Sequence, residues 1–390
     1  MTKVQKIALP ACFLMIFPVA LAVRAFQNRP LPASSPSPTT PTARAAIVLD
    51  KTPPAPTPEP APIKGIVPLT HSMDVLEMVA APMKNELLVV AQSGNDSSGE
   101  PDPYGGVLYH IRLGGTQPEA HEIVSGNNVV SGSAPVWNPG GTLAYFTYDN
   151  GTCAPMGTGV CGIFTLDPQT GKMEQLLPDS AEGLTISRDG SRLAFWDYTA
   201  GNKLTVFDLK TKAVVKAWAG EVHSADDLVV SDIVFAADEK SVFALTYAPR
   251  EFPLKQFVLD AGQVRTVSLY AHSLVAAADG VYFLQFDPLS ATPNQARPLM
   301  KISSSDLGPG KVLEDFPYYP RSTSGNGRWI VAHDWRKGIA IYDTRDQSIR
   351  VAGKDCQSAA VMADGKVVYA VRGQLTLDSA ACGAAKSAQP

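Results

Sequence analysis

The chain has 390 residues, 45% of them hydrophobic and 18% charged, with 33 Lys and Arg against 37 Asp and Glu for a net charge of −4. That is enough apolar material for one large domain or two ordinary ones. The cations are scattered and form no basic face, which argues against nucleic acid as a partner.

In chain order, residues 1–25 read as an export leader. Lys3 and Lys6 supply a positive start, "IALPACFLMIF" an apolar stretch, and "PVALA" a small-residue cleavage signal, so cleavage is expected after Ala22 or Ala25. An uncleaved anchor is the competing reading, because residues 7–23 are an apolar run near the lower limit for a span. It is the one expected route to a membrane. Residues 26–62 read as a tether: the stretch 28–62 contains eleven prolines, which supply no backbone donors and little apolar area, and it favours an extended polyproline II chain. The next segment, 63–383, carries the fold, and 384–390 reads as a disordered tail.

Within 63–383 one pattern recurs: a short strand, a tight turn of Asp, Asn and Gly, then an apolar strand. It is found in "SAPVWNPGGTLAYFTYDN" from Ser133, "LTISRDGSRLAFWDY" from Leu184, "IVFAADEKSVFALTY" from Ile233, "LVAAADGVYFLQF" from Leu274, "STSGNGRWIVAHD" from Ser322 and "AAVMADGKVVYAV" from Ala359. A second hairpin follows most copies, its first strand ending in Asp167, Asp208, Asp260 or Asp343, each placed to close an Asx turn. Four strands repeated every 38 to 49 residues or so predict an all-β fold, a β-propeller of four-stranded blades. Blade starts near residues 73, 133, 183, 230, 273, 320 and 357 count seven, with six or eight compatible with the same period. The last blade has only three strands, and "IKGIVPL" (63–69) is expected to supply the fourth and close the ring.

The stretches "WNPGGTLAY" (137–145) and "SRDGSRLAF" (187–195) resemble the WD40-like, or TolB-like, β-propeller repeat. The resemblance covers about 300 residues and implies a fold more than a function. Two features depart from its relatives: a proline tether stands where TolB-type proteins carry an α/β domain, and the G-x-S-x-G nucleophile turn of propeller-bearing peptidases is absent from the sequence.

In such blades the turns between first and second and between third and fourth strands share one face, and the remaining loops share the other. The first set is short here; the second holds nearly all the extra length, and insertions confined to one face mark a working face. That face is expected to present Tyr104, Tyr198, Arg250, Phe252, Arg297, Tyr318, Tyr319, Trp335 and Arg336, residue types that dominate binding hot spots, although several are expected to pack onto their own blades instead. An oxidising compartment would pair Cys153 with Cys161, eight apart in one loop; Cys356 and Cys382, which bracket the last segment, are the second candidate pair.

These features predict an exported or periplasmic module that binds a protein or cell-envelope component, with no cofactor. The alternative is a propeller enzyme, a quinoprotein-like oxidoreductase or a metal-dependent hydrolase. His71, His223 and His272, each followed by Ser and each at the start of an inner strand, would then converge on a metal ion at the channel mouth.

Overall fold

The strands of a blade differ sharply in burial. Second strands such as Ser241–Leu245 are buried along their whole length, while fourth strands such as Val264–Ser268 are mostly exposed. This gradient follows from radial sheets packed face to face, in which the inner strands are covered on both sides and the outermost strand looks outward. The computed structural model describes residues 67–68, 72–93, 105–113, 119–130, 134–149, 161–178, 181–198, 202–220, 233–248, 251–285, 297–304, 308–313, 315–371, 373–377 and 379–383. All lie in one unit, Ala61–Pro390. The leader, the tether and the tail therefore lie outside the described residues. Among those described, no helix is long and apolar enough to cross a membrane.

A short strand β1 (Val67–Pro68) comes first. Blade 1 is β2 (Ser72–Ala80), β3 (Glu86–Ser93), β4 (Gly105–Arg112) and β5 (Glu119–Val130); blade 2 is β6 (Val136–Trp137), β7 (Ala144–Asp149), β8 (Cys161–Asp167) and β9 (Lys172–Leu177). Blade 3 is β10 (Ala181–Ile186), β11 (Arg192–Asp197), β12 (Lys203–Asp208) and β13 (Ala213–Ala219), and blade 4 is β14 (Ile233–Phe235), β15 (Ser241–Leu245), β16 (Leu254–Val258) and β17 (Val264–Ser268). Blade 5 is β18 (Ala271–Ala277), β19 (Gly280–Gln285), β20 (Leu299–Ile302) and β21 (Gly310–Leu313); blade 6 is β22 (Tyr319–Thr323), β23 (Trp329–Asp334), β24 (Gly338–Asp343) and β25 (Ile349–Val351). Blade 7 has β26 (Ser358–Val361), β27 (Val367–Val371) and β28 (Gln374–Thr376), followed by a 3₁₀ turn, Ser379–Cys382.

The chain is a seven-bladed β-propeller, and β1 closes it. Strand β1 runs antiparallel to β28, pairing Val67 with Leu375 and Pro68 with Gln374, and so completes the sheet β1-β28-β27-β26. Proline is tolerated there because an outermost strand needs no donor on its free side. Blades 1 and 2 also join edge to edge through Val129 and Tyr148.

Every seam between neighbouring blades has its own apolar cluster. Val75, Leu87 and Val89 of blade 1 pack with Ala360, Met362 and Val368 of blade 7, so the last seam is filled like the others. At the seam of blades 3 and 4, Trp196 and Trp218 pack against Phe235 and Phe257. Cys356 and Cys382, both buried, are disulfide-bonded with Cα atoms 4.9 Å apart, tying the entry of β26 to the 3₁₀ turn beyond β28.

The repeated turns obey local chemistry. In blade 3, Asp189 Oδ1 accepts the backbone N–H of Ser191 at 2.9 Å while Gly190 takes φ 74°; in blade 2, Asn138 Oδ1 accepts the N–H groups of Thr142 and Leu143 at 2.8 and 3.1 Å. The expected Asx closures hold at Asp167, Asp208 and Asp343, whose carboxylates accept backbone N–H groups two or three residues on. Asp260 is a correction. Strand β16 ends at Val258, whose carbonyl accepts the Gly262 N–H at 2.9 Å, as the carbonyl of Asp167 accepts that of Gly171. Val258 therefore holds the strand-end position in blade 4, and Asp260 lies inside the turn.

Candidate functional site: a cation–aromatic cleft between blades 5 and 6

The two faces differ in how they are closed. On the short-turn face the first turn of each blade leans toward the axis and meets turns of other blades. Gly325 of blade 6 lies so close to blade 1 that a Cβ there would stand 2.3 Å from Pro82 Cα, and Gly141 of blade 2 approaches the same proline. Arg188 of blade 3 donates to the carbonyl of Ala278 in blade 5 at 3.3 Å, and the Ala278 N–H donates to Gly327 of blade 6 at 2.8 Å. Two of these contacts, blade 6 to blade 1 and blade 3 to blade 5, pass over the blade between. Turns that reach past a neighbour converge near the axis.

On the opposite face, blades 5 and 6 form a cleft of about 120 Å³, lined by Arg297, Tyr318, Tyr319, Asp334, Trp335 and Arg336 among others. The cleft is built from three connections. Arg297 precedes β20 and its carbonyl accepts the Phe316 N–H at 3.0 Å, which fixes the linker into blade 6. Fully buried Phe316 anchors that linker, its ring 5.9 Å from that of Tyr318 and 6.1 Å from that of Tyr342. The third piece is the turn after β23: Asp334 Oδ1 accepts the N–H groups of Arg336 and Lys337, each at 2.9 Å, and so holds Trp335-Arg336-Lys337 in one conformation.

Two cation–aromatic couples result. The Arg297 guanidinium sits 4.9 Å from the centre of the Tyr319 ring, and that of Arg336 sits 4.2 Å from the Trp335 ring. Trp335 is 68% exposed, the large aromatic left most open to solvent among the described residues. Tyr318 is buried, and that burial, with the nearby Asp334 charge, raises its phenol pKa, so it stays a neutral wall of the cleft.

Of the nine residues expected on the working face, the structure brings Arg297, Tyr318, Tyr319, Trp335 and Arg336 to this cleft. Tyr198 stands apart in blade 3, half-buried, its hydroxyl donating to Glu182 at 3.1 Å. Phe252 is woven into blade 4, its N–H donating to Leu269 and its carbonyl accepting from Ala271. Tyr104 and Arg250 lie outside the described residues. Sequence reasoning passed over Lys337 and Phe316, and also Tyr247, which is 48% exposed and 6.0 Å from Phe252; an aromatic next to a proline-containing insertion was the available signal for Tyr247.

Among the histidines weighed for a metal, His71 and His223 lie outside the described residues. His272 is buried at the start of β18, with Nδ1 2.9 Å from the Ser273 hydroxyl and its ring 5.0 Å from that of Tyr319. No group of three His, Cys, Asp or Glu side chains is placed to hold a metal among the described residues. Cys161 is disulfide-bonded, and Cys153 lies outside the described residues.

The class these observations define is a seven-bladed propeller with a cation–aromatic cleft between blades 5 and 6. No family model and no curated protein matches the chain. Solved structures do match: an oligogalacturonate lyase in complex with manganese at 12% identity and TM-score 0.54, over 80% of this chain and 91% of that one; and the β-propeller domain of the Trilobed protease from Pyrococcus furiosus at 12% and 0.52, over 76% and 91%. TolB from Acinetobacter baumannii matches at 14% and 0.46, over 70% of this chain and 64% of TolB. These likenesses bear on the fold alone. The Pyrococcus domain has an open velcro topology, whereas here β1 closes the ring.

Proposed function

We propose that this protein is an exported propeller that binds a protein or cell-envelope component through its long-loop face. One observation carries the reading: five residues from three connections gather at one cleft, on the face away from the converging turns. Aromatic and Arg side chains held in ordered turns lose little entropy on binding. Export is supported by the leader-like residues 1–25 and by the Cys356–Cys382 bridge, since such bonds persist in oxidising compartments.

The test places a photo-crosslinking amino acid at position 335 or at position 212, in the short turn between β12 and β13, and exposes each protein to cell-envelope material. Adducts from position 335 and none from position 212 are expected. Equal adducts from both, or none from position 335, would overturn the reading.

A further inference from the structure

We infer that His110 makes the seam between blades 1 and 2 an acid-sensitive latch: on gaining a proton it releases the β8–β9 turn of blade 2 from blade 1, while the rest of the ring stays folded. The latch is independent of the binding role at blades 5 and 6.

A chain of polar side chains spans that seam. Gln169, in the turn between β8 and β9, donates through Nε2 to both carboxylate oxygens of Glu86 at the start of β3, at 3.1 and 3.4 Å. Its Oε1 accepts the Arg112 guanidinium, from the end of β4, at 2.9 Å. His110 shares a face of β4 with Arg112, two residues earlier. It is 1% exposed, with Nε2 3.2 Å from Glu86 Oε2 and its ring edge-on to Trp137 of blade 2. Strand β5 brings exposed His121 opposite His110, 3.6 Å from Glu119, and Lys84 of the β2–β3 turn acts on Asp167 of β8 across the seam.

The placement of protons carries the inference. A carboxylate only accepts, so Nε2 holds the hydrogen of neutral His110 and Nδ1 presents a bare lone pair. That Nδ1 is buried without a hydrogen-bond partner, and so is Arg112 Nε. A second proton would turn Nδ1 into a buried cationic donor with no acceptor, on the same strand face as a guanidinium. An unmet charged donor costs far more than an unused lone pair. Relief comes from letting water reach Nδ1, and the seam gives way where least apolar area is lost. Leu88, Val90, Trp137 and Phe146 are buried together and hold the inner strands of both blades. Gln169 and most of β9 are exposed, so parting this turn from blade 1 uncovers little.

The experiment follows hydrogen exchange of the full-length protein by mass spectrometry at pH 7.5 and pH 5.5, beside His110→Gln at the same pH so that intrinsic exchange chemistry cancels. One pH unit below 6.5 favours the open form by at most about tenfold. The ratio of wild-type to variant exchange should therefore rise up to about tenfold on acidification in peptides covering 161–177, and stay constant over 233–268 in blade 4. His121→Gln should keep the wild-type response. A ratio indifferent to pH, an equal rise in blade 4, or loss of the response in His121→Gln would overturn the inference. Should His110→Gln fail to fold, the wild type decides alone: after correction for intrinsic rates, faster exchange in both regions at pH 5.5, or in neither, overturns it.

Discussion

The two faces of this propeller are made of the same parts and used in opposite ways. On the short-turn face, Asx residues and glycines bend each hairpin inward until backbone meets backbone, as at Gly325 and Pro82. On the other, the turn after β23 is capped just as tightly by Asp334 yet lifts Trp335 and Arg336 into solvent. The same turn chemistry thus brings hairpins together on one face and presents a large aromatic to solvent on the other.

The largest way to break the contrast is Gly325→Ala. A methyl group 2.3 Å from Pro82 Cα cannot be met by a flexible side chain, so the turn must move, at about 3 kcal/mol. Chemical denaturation should show that loss; an unchanged midpoint would mean the blade 6 and blade 1 turns are free to part.

Next comes Asp343→Ala. Its carboxylate receives Arg328 through Nε at 3.0 Å and a terminal nitrogen at 2.6 Å, Trp329 Nε1 at 3.1 Å and the Arg345 N–H at 3.0 Å. The hydrogen bonds donated by Arg328, before that of the Arg345 N–H, accordingly hold the Asp343 pKa below the ordinary carboxylate range. Removing the carboxylate should cost about 2 kcal/mol, and binding at the cleft should be unaffected. Loss of binding would show that the two faces are coupled through β23 and β24.

A smaller effect is set by pH. His110 is buried against Trp137, with Nε2 3.2 Å from Glu86. Burial lowers its pKa below 6.5, outweighing the opposing pull of Glu86. The folded protein therefore binds this proton less readily than the unfolded chain. Stability is full above pH 6.5 and falls as pH drops below it, by at most about 1.4 kcal/mol per pH unit until the folded pKa is reached. His333 is shifted in the same direction, by burial first and by Arg321 second, so its contribution adds. His110→Gln should flatten the melting profile between pH 6.5 and 5; an unaltered slope would place the acid sensitivity elsewhere.

The smallest effect on stability sharpens the comparison most. Trp335→Ala should leave the melting temperature within a degree or so, because an exposed side chain contributes little to the fold. It should still weaken binding at the cleft. A large fall in stability would make Trp335 a structural residue.

The sequence disclosed the short-turn face well, since Asp189-Gly190 and Asn138 with Gly141 carry their own turn chemistry within a few residues. It placed Asp260 wrongly because "FVLDAG" offers no local mark to distinguish Val258 as the strand end. It also showed that Trp335 and Arg336 sit in a loop on the long-loop face. It could not show that Arg297 would lie over Tyr319, since the two belong to different blades and meet only once the seam between them is packed. The approach of Gly325 to Pro82 was hidden for the same reason: more than 240 positions separate them in sequence.

The closure of the ring by Val67 and Pro68 has a mechanical meaning. The chain enters and leaves the ring in a single blade, so any pull along the N-terminal segment arrives first at a ladder of two residue pairs. Strands β26, β27 and β28 lie behind that ladder, and the Cys356–Cys382 crosslink fastens their far end. A load on the N-terminal segment is thus met by a strand pairing only two residues long, with covalent reinforcement one step further in. Strand β1 would peel before blade 7 yields, acting as a mechanical fuse that spares the cleft between blades 5 and 6.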